Sequence, residues 1–371
     1  MHIGIDASRA AVPHPTGTEQ YSREIIEHLA PLVEQDRLTL YVNEWSDSGW
    51  RPPAGVGIRE LPSSRGWTHA RLSLEMLQAA PDVLFVPAHA VPLWHPRATV
   101  VTVHDLGYRR VPDSHPAASR VYRVWSTRFS ARSATLIIAV SEATKQDLVE
   151  LEGISSDRIR VVHHGVDSTL RPIDDVASVR DARARYGLPP QYFLYLGTLQ
   201  PRKNLERLIQ AHRKLLEFAP EAPALVLAGQ AGWLAEPILR AARQGASADS
   251  VILPGYIDRD DLAAILSGAV AFVFPSLYEG FGMPVLEAMA CGVPVMTSNV
   301  SSLPEVAGEA ALLVDPYDEG SMCEALNRLA DDADLRADLR RRGIERARGF
   351  SWDRAARETL AVLRESVNAI R

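Results

Sequence analysis

From end to end this chain alternates short apolar runs with amphipathic stretches of helical period, and that alternation restricts the fold more than any other property of the sequence. In the first half the runs are 2–7, 38–42, 83–86, 100–104, 136–140 and 159–162, with helical stretches such as 20–30 between them. In the second half they are 193–197, 224–228, 251–253, 270–274, 293–297 and 311–314. Apolar strands separated by helices are buried on both faces, which means parallel sheets covered by helices, an α/β architecture. At 371 residues there is material for two such domains, joined near 171–182, with a cleft expected between the carboxyl ends of their strands.

The densest chemistry lies in 270–294. Residues 270–274 read as a buried strand that Pro275 and Ser276 end, and Pro284 suits the first turn of a helix. Glu279 is therefore expected on a loop and Glu287 inside the helix. Gly280 and Gly282 allow the backbone of Gly280, Phe281, Gly282 and Met283 to approach a ligand, and the N–H groups of the helix start favour anions or hydroxyls. Gly292 is expected to end the helix in a left-handed conformation, with Pro294 leading into the next strand. Taken alone, the spacing fits equally an ordinary strand, turn and helix with two solvated glutamates.

Residues 192–209 run from an apolar strand through Gly197 and Pro201 into an amphipathic helix, with Arg202 and Lys203 at the turn. Two cations at the mouth of a strand-to-helix loop can neutralise a diphosphate, Arg as a bidentate fork and Lys as a movable point charge. In isolation the pair reads first as an ordinary charged surface turn.

Together these segments resemble the retaining family 4 glycosyltransferases, also described as glycosyl transferases group 1, and within them the mannosyltransferases. Glu279 and Glu287, with seven residues between them, match the paired-glutamate motif, and Gly197-Thr198-Leu199-Gln200-Pro201-Arg202-Lys203-Asn204 matches the phosphate loop. Further matches follow in order over nearly the whole chain: the strand through Asp6, the glycine loop at 15–21, His104-Asp105, Ser141-Glu142 and 162–167. Where many members carry Gly-Gly in the glycine loop, this chain has Gly17-Thr18.

The resemblance implies a GT-B fold, two Rossmann-like doubly wound parallel-sheet domains facing a central cleft. Domain 1–172 would be the acceptor side, 183–351 would bind the nucleotide sugar, and 352–371 would be a helix crossing back to the first domain. It also implies roles. Arg202 and Lys203 would stabilise the departing diphosphate, and Glu287 would accept hydrogen bonds from the ribose hydroxyls. Glu279 and the backbone of 280–283 would grip the transferred sugar, which His104 would reach near its anomeric centre. Asp105 would orient its loop or help hold the acceptor. Gly17, Gly197 and Thr198 would face the phosphates, and Tyr256, beside Gly255, would lie near the base.

A net charge of −6 and the lack of a basic cluster interleaved with aromatics argue against nucleic acid. The two cysteines, Cys291 and Cys323, have neither metal-site nor disulfide spacing, and no apolar run approaches the ~20 residues that span a bilayer. With no signal peptide read at the start, the expectation is a cytoplasmic protein. Residues 120–132 set Val121, Trp125 and Phe129 at helical spacing among four arginines. The expected arrangement packs the Trp–Phe stripe into the domain; the alternative is peripheral contact with the inner membrane surface. Asp258-Arg259-Asp260 matches a metal-holding Asp-X-Asp pattern, yet it precedes a helix and reads as a cap with an acidic first turn. No catalytic metal or other cofactor is therefore expected, and 336–348 is expected to be a solvated helix. Trp67, Arg71, His89 and Trp94 are candidates for an acceptor groove and are equally explained by packing.

The reading that follows is a retaining transferase moving a hexose from a nucleotide-diphosphate sugar, GDP-mannose by resemblance, to a saccharide or lipid-linked saccharide. UDP-glucose or another hexose donor is the first alternative. A non-catalytic sugar-nucleotide-binding protein is the second, and it need not keep His104 and Glu279. An oxidoreductase is disfavoured, because no Gly-X-Gly-X-X-Gly follows the first strand.

Overall fold

The computed structural model describes the chain except residues 13–16, 34, 45–49, 64–65, 89, 115–116, 245–247 and 371. Pro15 of the glycine loop and His89 thus lie outside the described residues. The chain forms two compact units, one of Met1–Arg109, Ala117–Gly165 and Phe350–Arg371, the other of Arg110–Pro116 and Val166–Gly349.

The first unit holds a parallel sheet of β1 (His2–Asp6), β2 (Arg37–Val42), β3 (Gly57–Glu60), β4 (Val83–Val86), β5 (Thr99–Val103), β6 (Leu136–Ala139) and β7 (Ile159–Val161). Their order is β3-β2-β1-β4-β5-β6-β7, so the winding reverses beside β1, where Ile3 pairs with Leu38 on one side and Val83 on the other. The second unit repeats the plan with β8 (Tyr192–Leu196), β9 (Ala224–Ala228), β10 (Val251–Gly255), β11 (Ala271–Phe274), β12 (Val295–Ser298) and β13 (Ala311–Val314), in the order β10-β9-β8-β11-β12-β13. Both are doubly wound, as the alternation predicts. The exception is β3, whose Gly-Ile-Arg-Glu sequence carries no apolar run. It is an exposed edge strand, and edge strands tolerate charge because one side has no sheet partner.

Backbone packing at the carboxyl ends of β8 and β9 is unusually close. At Gly229, with φ of +140°, an added Cβ would fall 2.1 Å from the carbonyl oxygen of Gly197, so a side chain there would separate the two loops. Within the first unit, helix Trp352–Asn368 is capped by Ser351, and the Trp352 ring sits 5.8 Å from Tyr21 and 5.7 Å from His164.

Helix Ala117–Ser133 departs from the expected packing. Its small residues Ser126, Thr127, Ser130 and Ala131 face the core, and Ser130 Oγ accepts a bond of 2.9 Å from Val91 N. That close approach turns the larger side chains outward, so Trp125 is 46% exposed and Val121 71% exposed, while Phe129 is half-buried. In helix Ala333–Arg348, Arg341 and Arg342 are solvated as expected. Arg346 instead donates to the carbonyls of Val306 (2.9 Å) and Glu305 (2.5 Å). No helix among the described residues is long and apolar enough to cross a membrane.

Candidate active site

Two loops leave the carboxyl ends of neighbouring strands β8 and β11 and are bonded to each other. After β8 the chain makes a single turn, Pro201–Lys203, then takes a left-handed conformation at Asn204 (φ +61°) before helix Leu205–Phe218. Asn204 is fixed there by donating from Nδ2 to the carbonyls of Pro275 (3.1 Å) and Pro316 (2.6 Å). Leu277 N donates to Arg202 O at 2.9 Å, which sets the two loops in register.

Glu279 is the centre of this arrangement. Its carboxylate takes Lys203 Nζ at 2.6 Å on one oxygen and Arg202 Nη1 at 2.8 Å on the other, and all three side chains are largely buried. Arg202 also donates to Tyr278 O, and Lys203 Nζ stands 4.7 Å above the Phe274 ring. Burial pushes the Glu279 carboxyl up, but the two cations outweigh it and hold the group below its ordinary range. The result is a buried, fixed cluster of two cations and one anion. Its net positive charge suits a multiply charged anion.

Glu287 lies on helix Met283–Ala290, with Pro284 in the first turn and Gly292 left-handed after the end, as the sequence predicts. The helix is entered through Gly282 at φ +107°, where an added Cβ would also fall 2.8 Å from Leu303 Cδ2. Burial raises the Glu287 carboxyl to about 7; Arg259 lowers it and Asp167 raises it. Arg259 and Asp167 are themselves ion-paired. Asp258 occupies the position before helix Arg259–Ser267, but its side chain makes no capping bond, contrary to the expected cap. Asp261 turns instead to Arg185 and to the Tyr186 hydroxyl (2.9 Å). No group of three potential metal ligands occurs among the described residues.

The remaining predicted residues of this unit line the same ends of the strands. Gly197 follows β8, and Thr198 is exposed, with its carbonyl accepting from Tyr195 Oη at 3.1 Å. Tyr256 follows β10 and is 61% exposed. Gly280, Phe281 and Gly282 are buried, and Met283 is half-buried.

A layer of hydroxyls behind Glu279 was not anticipated. Ser301 Oγ accepts from Glu279 N at 3.0 Å, and Ser302 Oγ donates to Glu279 O at 3.0 Å and Phe281 O at 2.8 Å. Thr297 and Ser298 likewise donate to the carbonyls of Phe274 (2.9 Å) and Ser276 (2.7 Å). Ser301 holds φ of +54°, costly for a residue with a Cβ by about 1 kcal/mol, which the surrounding bonds must offset. The sequence signal was the cluster of hydroxyl residues after the strand at 293–297. Ser302→Ala strips a buried donor from two carbonyls and should lower kcat roughly 10- to 100-fold, with Ser302→Thr recovering most of it. Steady-state kinetics of the two variants would check this, and an unchanged kcat in the alanine variant would refute the positioning role.

His104 belongs to the other unit. It directly follows β5, is buried, and donates from Nε2 to Pro87 O at 2.7 Å, with the Tyr21 ring edge-on at 4.7 Å. Burial lowers its basicity, partly countered by the Pro87 bond and by Asp105 and Glu19, so the neutral imidazole carries its proton on Nε2. Asp105 accepts from Gly107 N at 2.8 Å and orients its own loop. Gly17, expected in a loop, is the first residue of helix Gly17–Leu29, and an added Cβ would meet nothing within 4 Å among the described residues. Packing against the described residues therefore does not require glycine there. Trp67 is buried, with Nε1 donating to Leu61 O at 3.0 Å, which makes it a core residue; Trp94 is exposed.

The comparisons agree with this architecture. The family profile Glycosyltransferase Family 4 matches residues 15–170, and the profile Glycosyl transferases group 1 matches residues 180–346. O-antigen chain mannosyltransferase B of Escherichia coli is 32% identical over 379 residues, covering 93% of this chain and 95% of that protein. Among solved structures, sucrose-phosphate synthase from Thermosynechococcus elongatus aligns with a TM-score of 0.76 at 21% identity, covering 99% of each chain. Anabaena HepE in complex with UDP and glucose aligns at 0.73 with 17% identity, covering 98% of each. Likeness at those identities speaks for the fold alone. Two profiles matched in succession, and a relative matched over almost its full length, place the chain among the family 4 glycosyltransferases of the group 1 type.

Proposed function

We propose that this protein moves mannose from GDP-mannose to a saccharide or lipid-linked saccharide acceptor, with retention of anomeric configuration and without a metal. The observation that carries the reading is the buried Arg202–Glu279–Lys203 cluster at the carboxyl ends of β8 and β11. The choice of mannose is supported by the relative named an O-antigen chain mannosyltransferase, matched over 93% of this chain.

In the proposed reaction the acceptor hydroxyl attacks the anomeric carbon from the face that the diphosphate leaves. The bond from that carbon to the phosphate oxygen breaks, the bond to the acceptor oxygen forms, and the departing oxygen takes the hydroxyl proton. Negative charge grows on the diphosphate as it leaves. Arg202 and Lys203, already aimed by Glu279, stabilise that charge without reorganising, and so perform the electrostatic task given elsewhere to a divalent cation. Glu287 accepts from the ribose hydroxyls, and Tyr256 offers an exposed ring near the base. The backbone of 280–283 meets the sugar hydroxyls, and His104, neutral and with its Nε2 proton given to Pro87 O, presents Nδ1 as an acceptor close to the sugar.

Proton NMR of the product formed from GDP-mannose in the presence of chelator tests stereochemistry and metal independence together. The α-mannoside is expected at full rate. A β-linked product would refute retention, and turnover restored only by magnesium or manganese would refute the metal-free cluster.

A further inference from the structure

We propose that His164 and Trp352 are positioning residues for His104, which rests on the reading above that His104 meets the transferred sugar. The bond from Nε2 to Pro87 O, 2.7 Å long, anchors the His104 imidazole at one atom. A hydrogen bond to one ring nitrogen sets a distance and leaves the ring to turn about the bond axis. The direction in which Nδ1 points is therefore set by what packs on the ring. Tyr21 stands edge-on to it, with centroids 4.7 Å apart and planes at 82°, and His164 lies at 5.6 Å and 62°.

These supports are themselves fixed from behind. Tyr21 is fully buried, and its hydroxyl is 3.1 Å from Thr102 Oγ1 on β5, the strand that leads into His104. His164 lies 4.8 Å from Tyr21 and stacks on Trp352 at 5.7 Å with the planes 25° apart; both side chains are buried. Gly165 permits that stack. An added Cβ there would fall 2.1 Å from Trp352 N and 2.5 Å from Ser351 C, so only a residue without one lets the two backbone segments meet. Beside them His163 and Phe350 make a further ring contact at 5.6 Å. The chain leaves this unit after Gly165 and re-enters it at Phe350, so the imidazole is supported from the segments on either side of that interruption.

An aliphatic residue would fill the place of His164 without burying a polar ring. Burial, and then the imidazoles of His104 and His163, lower the basicity of His164 well below its ordinary range, so the ring is neutral. What flat rings add is orientation, because edge-on and stacked neighbours each fix the plane of the next. A displacement of about 1 Å at a reacting centre costs about a hundredfold in rate, so a small loss of tilt at His104 is expensive.

Kinetics and proton exchange on the full chain test this. With GDP-mannose as donor and methyl α-mannoside as acceptor, His164→Leu and Trp352→Leu should each lower kcat roughly tenfold while the Kd of GDP-mannose stays at the parent's value. Trp352→Phe, which keeps a ring in the stack, should recover most of the loss. Added to His104→Ala, His164→Leu should lower kcat no further, because the group it orients is gone. A second readout needs no substrate and decides the proposal whatever the donor. The Nε2 proton of His104, identified by its absence in His104→Ala, should exchange with water at least about tenfold faster in His164→Leu than in the parent. Leucine nearly matches histidine in volume, so a melting temperature close to the parent's should accompany these changes. The proposal is overturned if both leucine variants keep the parent's kcat and His164→Leu its proton exchange, or if His164→Leu costs the same factor with and without His104, as a merely structural residue would. A His104→Ala variant as active as the parent would remove the sugar contact and the positioning role with it.

Discussion

Lys203→Ala is expected to lower kcat by roughly 10²- to 10³-fold, the range found when one preorganised group facing a developing anion is removed. The residue is buried, its head is fixed 2.6 Å from Glu279, and the Phe274 ring closes one side. A charge held that rigidly outside water acts on a leaving diphosphate far more strongly than a solvated lysine. Folding should suffer much less. Removing one partner of a buried pair ordinarily costs about 3–5 kcal/mol, but here Arg202 stays 2.8 Å from the same carboxylate, so a smaller loss is expected. Lys203→Met separates the two effects: it keeps the aliphatic stem and leaves Arg202 paired with Glu279, so melting temperature should stay near the parent's while turnover remains as low as in Lys203→Ala. Turnover in Lys203→Ala equal to the parent's would refute the role assigned to this lysine.

Glu287→Gln should weaken nucleotide-sugar binding by about 10- to 100-fold, since a charged acceptor of two hydroxyls is replaced by a neutral amide with one acceptor oxygen. The pH dependence gives an independent signature. With its carboxyl raised to about 7, the free protein holds Glu287 largely protonated below that value. Ribose hydroxyls need the ionised form, so donor affinity should rise with pH through about 7 and level off above it. Donor binding should likewise release protons. Stability runs the other way: the folded state binds the extra proton between the ordinary carboxylate range and about 7, so this group's contribution is full below that window and is lost as pH climbs through it. In Glu287→Gln both trends should disappear. Calorimetry of nucleotide-sugar binding in buffers of different ionisation heat would read the protons directly.

Much of the fold was legible because strands covered on both faces are rich in apolar residues, and twelve of the thirteen strands among the described residues coincide with an apolar-rich run of the sequence. The edge strand Gly57–Glu60 has no such obligation and left no trace. The loops around Glu279 and Lys203 were readable from punctuation, since Pro284, Gly282 and Gly292 are each tied to a local backbone conformation. What escaped depended on contacts between distant segments. Ser302 reaches back to residues 279 and 281, a relation with no periodicity to betray it. The orientation of helix Ala117–Ser133 was misjudged for a related reason. An aromatic stripe at helical spacing and a stripe of serine and alanine compete for the core, and close packing through Ser130 decided for the smaller residues. Asp258 sits where a cap belongs, yet the neighbouring Asp261 and Arg259 are the residues that engage Arg185 and Asp167.

The central claim is that a nucleotide-diphosphate sugar binds the second unit through Arg202, Lys203 and Glu287. It is tested most directly by the melting temperature of the wild type and of Glu287→Gln with GDP-mannose, UDP-glucose, GDP and UDP, all in chelator. At a ligand concentration a hundredfold above Kd the wild type should gain about 2.7 kcal/mol, a rise of several degrees, with GDP-mannose above the others and the gain largely absent in the variant. A wild type that none of the four stabilises, or a shift that the variant keeps in full, would contradict the account.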